Sequence, residues 1–370
     1  MGSRRCLRKP MKVTSVKQVM VTYTAKREHS LDVMRVLACF LVVLTHSMMP
    51  NVHENGRYLG FLSFLCSPSS EMFLMLSGAI LLPVKMNASA FYKRRFLKLL
   101  PPMMVWSLFG IILRYLQGKS TFPHSMMKMV LMPFEPVEGV YWFLYVMIGL
   151  YLFAPIISCW LRNASKRELE FFLCVWGLNM LLPWVNLLIP DFYALDGSYY
   201  WPLCYMGGFL GYWMLGFYLR RYSPPLFSVK GWVLVILTGF YAVGLVFVKN
   251  LGVSIDAFMD NLQIGSAILV ALLFVVIKQT SESKLGERFL NRWCSSLAQY
   301  SFGIYLIHIY VVRDCVWLFF QHNRMLTHPI LESLLIAILS MTLCVLLIMC
   351  VNCISDRLAL YMFGYKRYVK

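Results

Sequence analysis

Apolar runs of membrane-spanning length recur along almost the whole chain, separated by polar connections. A helix needs about 20 residues to cross the hydrocarbon core of a bilayer. On that measure the pattern predicts about ten transmembrane helices, over 31–50, 58–83, 101–117, 140–161, 169–190, 201–219, 230–249, 258–278, 297–320 and 329–353. The fold class is all-α, a polytopic membrane helix bundle. The runs leave no room for a soluble domain. The chain divides into a basic, disordered tail over 1–28 that can rest on anionic lipid, a transmembrane domain over 29–356, and a second basic tail over 357–370.

Charge orients the bundle. Basic residues in short loops stay on the cytoplasmic side. Here they fill the tail from Arg4 to Arg27, the "KRRFLK" connection with Lys85, "RNASKR", Arg220 and Arg221 with Lys230, the loop holding Lys278, Lys284, Arg288 and Arg292, and the C-terminal end. The alternate connections hold only Arg57, Lys119, Lys128, Lys249 and Arg324, and collect acids such as Glu135, Glu138, Asp191, Asp196, Asp256 and Asp260. Both termini are therefore expected in the cytoplasm, with the first run kept as a signal anchor.

Composition changes little in this picture: 59% of residues are apolar and 14% charged. A net charge of +18 could suggest nucleic acid, but its loop-by-loop distribution points to membrane orientation, and no nucleic-acid partner is expected. The 11 cysteines sit mostly within apolar runs, as small buried hydrophobes rather than a disulfide framework. Cys350 and Cys353 are too few ligands for a metal site, and no metal is expected.

Asp32, Arg35 and His46 break the first run, and each would be costly facing lipid. Arg35 and His46 stand eleven positions apart, which at 100° per residue is about 20° beyond three turns, so they share a face with a rise of about 16 Å between them. Asp32 joins that face. Two readings fit: an anchoring pair at the cytoplasmic boundary with His46 among the outer headgroups, or a site inside the bundle. In the second, Arg35 grips an anionic ligand and His46 acts as base or acyl carrier, work that suits an imidazole titrating near neutrality.

The stretch "LDVMRVLACFLVVLTHS" resembles the first-helix motif of the acyltransferase-3 family of integral-membrane acyltransferases. "SSEMFLMLSGAILL", "FYKRRFLKLLPP", "YWFLYVMIGLYLFAPII" and "SLAQYSFGIYLIHIYVV" resemble later family stretches in the same order, and the likeness covers most of 29–355. The type it most resembles is the enterobacterial common antigen O-acetyltransferase. The resemblance implies transfer of an acyl group, usually acetyl from cytoplasmic acetyl-CoA, to a hydroxyl of an envelope glycan or its polyprenyl-linked precursor. It also implies residence in the bacterial inner membrane. His46 would be the catalytic histidine and Arg35 its motif partner. Lys93, Arg94, Arg95 and Lys98 would hold the CoA phosphates, although Lys98 stands where the family has a second arginine and cannot make the bidentate fork.

Further candidates are Glu71, a buried carboxylate that could orient His46 or an acceptor, and Trp142, either a sugar platform or part of an interfacial aromatic belt. His308 beside Tyr305 is a candidate for the cavity lining. Ser77 and Gly78 suggest close helix contact, and Arg313 with Asp314 an outer-end pair. A transporter or flippase of lipid-linked saccharides would also use buried charges, and a non-enzymatic membrane module is a third reading. Oligomeric state is not legible.

Overall fold

The computed structural model describes residues 28–52, 59, 62–63, 66, 68–181, 207–222, 224–250, 262–281, 293–323 and 328–365. Among them there are helices and turns and no strand. The tail over 1–27 and parts of the predicted runs 58–83, 169–190, 201–219 and 258–278 lie outside the described residues.

Helix α1 runs His29–Val52, α2 Ser69–Leu81, α3 Ala88–Leu116 and α4 Phe122–Leu131. A 3₁₀ turn over Gly139–Tyr141 leads into α5, Trp142–Asn163, followed by α6, Lys166–Asn179. Next come α7, Leu210–Tyr222, α8, Gly231–Asn250, and α9, Ile264–Ser281. Helix α10, Ser301–Val311, passes through a π turn at Val312–Val316 into α11, Trp317–Asn323. Helix α12 spans Pro329–Ile354 and α13 Asp356–Phe363.

Among the described residues, six segments are long and apolar enough to cross a membrane: His29–Met48, Ala88–Leu116, Gly139–Asn163, Ile264–Ser281, Trp293–Gln321 and Pro329–Ile354. Ser69–Leu81 and Gly231–Tyr241 are apolar but shorter. Helix α3 starts earlier than the run at 101–117 because it continues through Pro101 and Pro102. Each proline lacks the N–H that would bond four residues back, so the carbonyls of Leu97 and Lys98 lose their helical partners. The "KRRFLK" stretch thereby becomes the first turns of a membrane helix.

Helix α1 packs against α2, α9, α10 and α12. Between α2 and α7 the backbones nearly touch. A Cβ at Gly78 would collide with the Trp213 backbone, and one at Gly216 with that of Met75. The expected close contact at Gly78 is thus made to α7, and small residues at such crossings let helices approach where lipid supplies no hydrophobic drive. After α2 the chain is pinned by α5: Val84 N donates to Ser158 Oγ at 2.9 Å, and Arg162 Nη2 donates to Val84 O at 2.5 Å.

Residues 357–365, counted with the basic tail in the sequence reading, form ordered structure together with Asp356. Ser355 Oγ accepts from Leu358 N at 3.3 Å to start α13, and Gly364, at φ 60°, ends it. Ala359, Phe363 and Tyr365 are buried. Trp106 Nε1, on α3, donates to Met362 O at 2.7 Å.

Candidate functional site

Helical spacing places Val42, Thr45 and His46 on one face of α1, and that face forms one wall of a cavity of about 180 Å³. Ser69 and Ser70, at the start of α2, form a second wall. Gly139, Val140 and Trp142, at the start of α5, supply a third, and Tyr305 of α10 completes it. Tyr305 is held by donating its hydroxyl to Val140 O. Trp142 packs against Phe143 and Phe209, with ring centroids 6.2 and 5.3 Å away.

His308 is fully buried and stands behind His46 rather than in the cavity wall, ring centroids 5.2 Å apart with planes at 43°. Its Nδ1 lies 2.6 Å from Tyr305 O. A carbonyl only accepts, so Nδ1 carries the proton and the neutral ring keeps its lone pair on Nε2. That Nε2, like His46 Nδ1, is buried without a hydrogen-bond partner among the described residues. Two unpartnered nitrogens on adjacent rings are unusual, because buried polar atoms are nearly always satisfied.

At the other end of α1, Asp32 is buried and accepts from Ser295 Oγ at 3.0 Å, and Arg35 Nη1 lies 3.6 Å from its other oxygen. Ser295 Oγ is also 3.0 Å from His29 Nδ1. Asp32 is thus tied to the segment leading into α10. Arg35 faces the basic stretch of α3: Arg35, Arg94 and Arg95 are near enough for their charges to bear on Lys98, and Arg35 and Arg95 both act on Tyr151 of α5. Arg95 also sits over the Phe91 ring, 5.7 Å from its centroid. Lys93, Arg94 and Lys98 are exposed. A cluster of like charges with an accessible face is suited to a polyanion.

Glu71 is fully buried in the first turn of α2, close in sequence to the cavity-lining Ser69 and Ser70. The residues brought together are therefore His46, Trp142 and Tyr305 around the cavity, His308 behind it, and Arg35 with Arg94, Arg95 and Lys98 at the far end. Sequence reasoning missed Thr45, Ser69, Ser70 and the Gly139–Val140 wall. The signal for the serines was present in "SSEMF", two hydroxyls opening an apolar helix.

No curated protein and no solved structure matches the chain. Residues 28–349 match the acyltransferase domain family acyltransferase 3, a stretch that takes in the cavity, both histidines and the basic cluster. The chain therefore belongs to the acyltransferase-3 family and is a multi-helix membrane acyltransferase.

Proposed function

We propose that the protein is an integral-membrane O-acyltransferase that moves an acetyl group from cytoplasmic acetyl-CoA to a hydroxyl of an envelope glycan or its polyprenyl-linked precursor. Ten spans with both termini in the cytoplasm of a bacterial inner-membrane protein are part of this reading. One observation carries it: α1 holds His46 against a cavity at one end and Arg35 in a basic cluster at the other, about 16 Å away by helical rise. Helices α1 and α5 present to the cavity the ends remote from Arg35 and Arg162, so by charge asymmetry the cavity is read as opening outward.

Arg35, Arg94, Arg95 and Lys98 would hold the CoA phosphates, with Lys93 on the same basic stretch. His46 would take the proton of the acceptor hydroxyl as its oxygen attacks the thioester carbonyl. Collapse of the tetrahedral intermediate expels the CoA thiolate, which takes that proton back from the imidazolium. His308 would accept a hydrogen bond from His46 Nδ1–H, fixing the tautomer that leaves the other nitrogen as base. A cavity of about 180 Å³ is below the roughly 300–1,000 Å³ that takes drug-sized ligands. It admits a single ring, with Trp142 and Tyr305 as its aromatic walls.

Membership of an acyltransferase family favours this reading over transport of lipid-linked saccharides. The test is acetyl-CoA turnover by purified wild type, His46→Ala and Arg35→Ala, each with CoA binding measured. Turnover lost in His46→Ala with CoA binding intact supports the assignment. Folded wild type that binds no CoA overturns it.

A further inference from the structure

We infer that Glu138 is a positioning residue for the His46 cavity, acting through a two-arginine clamp. Its carboxylate is buried, at 2% exposure, where the chain enters α5. It accepts from Arg114 Nε at 3.1 Å and Arg114 Nη2 at 2.8 Å, from the end of α3, and from Arg313 Nη1 at 3.1 Å. Arg313 comes from the π turn after α10 and also grips Asp314 with Nη2 at 2.7 Å. Two guanidinium groups and two carboxylates balance, so the group is neutral as a whole.

Such pairs hold geometry more than they add stability, but losing one partner strands the others. What this one holds is the cavity wall. Gly139 and Val140, the next two residues, line the cavity. Val140 O receives the Tyr305 hydroxyl, and Tyr141 donates its own to Leu306 O at 2.7 Å. Three of four successive residues, Glu138, Val140 and Tyr141, are therefore fastened to α3, to α10 and to the π turn that follows it, and the same stretch of α10 carries His308. Single π turns are frequent at functional sites; here the turn supplies the arginine that reaches Glu138.

This inference rests on the acyl-transfer reading only for its rate effect. The experiment compares wild type with Glu138→Gln, which keeps shape and removes charge, in the full chain. It reads acetyl-CoA turnover, CoA binding stoichiometry, and the rate at which diethyl pyrocarbonate modifies His46, followed by mass spectrometry. We expect turnover to fall at least tenfold, CoA stoichiometry to stay at the wild-type value, and His46 modification to quicken at least threefold as the wall loosens. Arg114→Gln, which leaves the Arg313 contact, should give a smaller change of the same sign and serves if Glu138→Gln does not fold. Unchanged His46 reactivity in the folded variant overturns the clamp. A wild type without CoA binding but with the reactivity change intact would instead remove the transfer reading and leave the clamp standing.

Discussion

His46 and His308, 262 positions apart in the chain, meet with ring centroids 5.2 Å apart, and each has a buried nitrogen without a hydrogen-bond partner among the described residues. The Tyr305 carbonyl sets the tautomer of His308, so the pair has a direction: His308 can accept, and His46 can donate and keep its second nitrogen for the cavity.

Replacing His308 by Phe keeps a ring of similar size beside Tyr305 and removes the acceptor. Acetyl-CoA turnover should fall at least about tenfold, a barrier increase of about 1.4 kcal/mol, with CoA affinity unchanged. Isothermal titration alongside steady-state rates checks it, and a wild-type rate would show that His46 needs no second imidazole.

The basic cluster makes a separate prediction, because it lies at the opposite end of α1. Arg95→Gln and Lys98→Gln should each weaken CoA binding roughly tenfold, since a hydrogen bond to a charged group contributes about 1.5–3 kcal/mol. Both should flatten its salt dependence. Lys98→Arg should bind at least as tightly as wild type, the guanidinium fork being better matched to phosphate. Titrations at two ionic strengths decide this, and equal affinities across the set would remove these residues from the donor site.

At the α2–α7 crossing, Gly78→Ala or Gly216→Ala should destabilise the protein by about 1–3 kcal/mol, the range for overpacking a tight contact. At Gly149 in α5 and Gly239 in α8 no atom of the described residues would lie within 4 Å of an added Cβ, so alanine there should be neutral or stabilising by up to about 1 kcal/mol. Thermal melts in detergent would separate the two pairs.

Ser158→Ala should cost about 1–3 kcal/mol, the penalty for a buried donor left unsatisfied, because Val84 N–H has Ser158 Oγ as its acceptor. Ser158→Thr, which keeps the hydroxyl, should recover part of that. Melting midpoints for the two variants provide the check.

The charges of α1 were legible because lipid makes a charge on a spanning helix conspicuous, and one stripe of a helix can be computed from spacing alone. Gly78 was legible for the same local reason. Glu138 was seen only as one acid among several on its face, and Arg313 with Asp314 as a neighbouring pair. The pair is present, but the third member is 175 positions away from Arg313 in the chain, and no local pattern announces a contact of that separation. His308 could be suspected from its place on an apolar helix, yet its nearness to His46 depends on how α1 and α10 pack. Helix α13 escaped detection because its eight residues, although mostly apolar, are far too few to resemble a span.

That last helix has a consequence for biosynthesis. Helix α13 is translated after every other element described, yet it supplies the carbonyl that Trp106 bonds and the Gly364 turn set against Lys98 O on α3. The middle of α3, from Lys98 to Trp106, therefore reaches its final packing only when the ribosome has delivered residue 364. A chain arrested at the end of α12 would have inserted its membrane helices with this part of α3 unfinished, and quality-control proteases could tell it from the longer product by an uncovered Phe302 and Trp106.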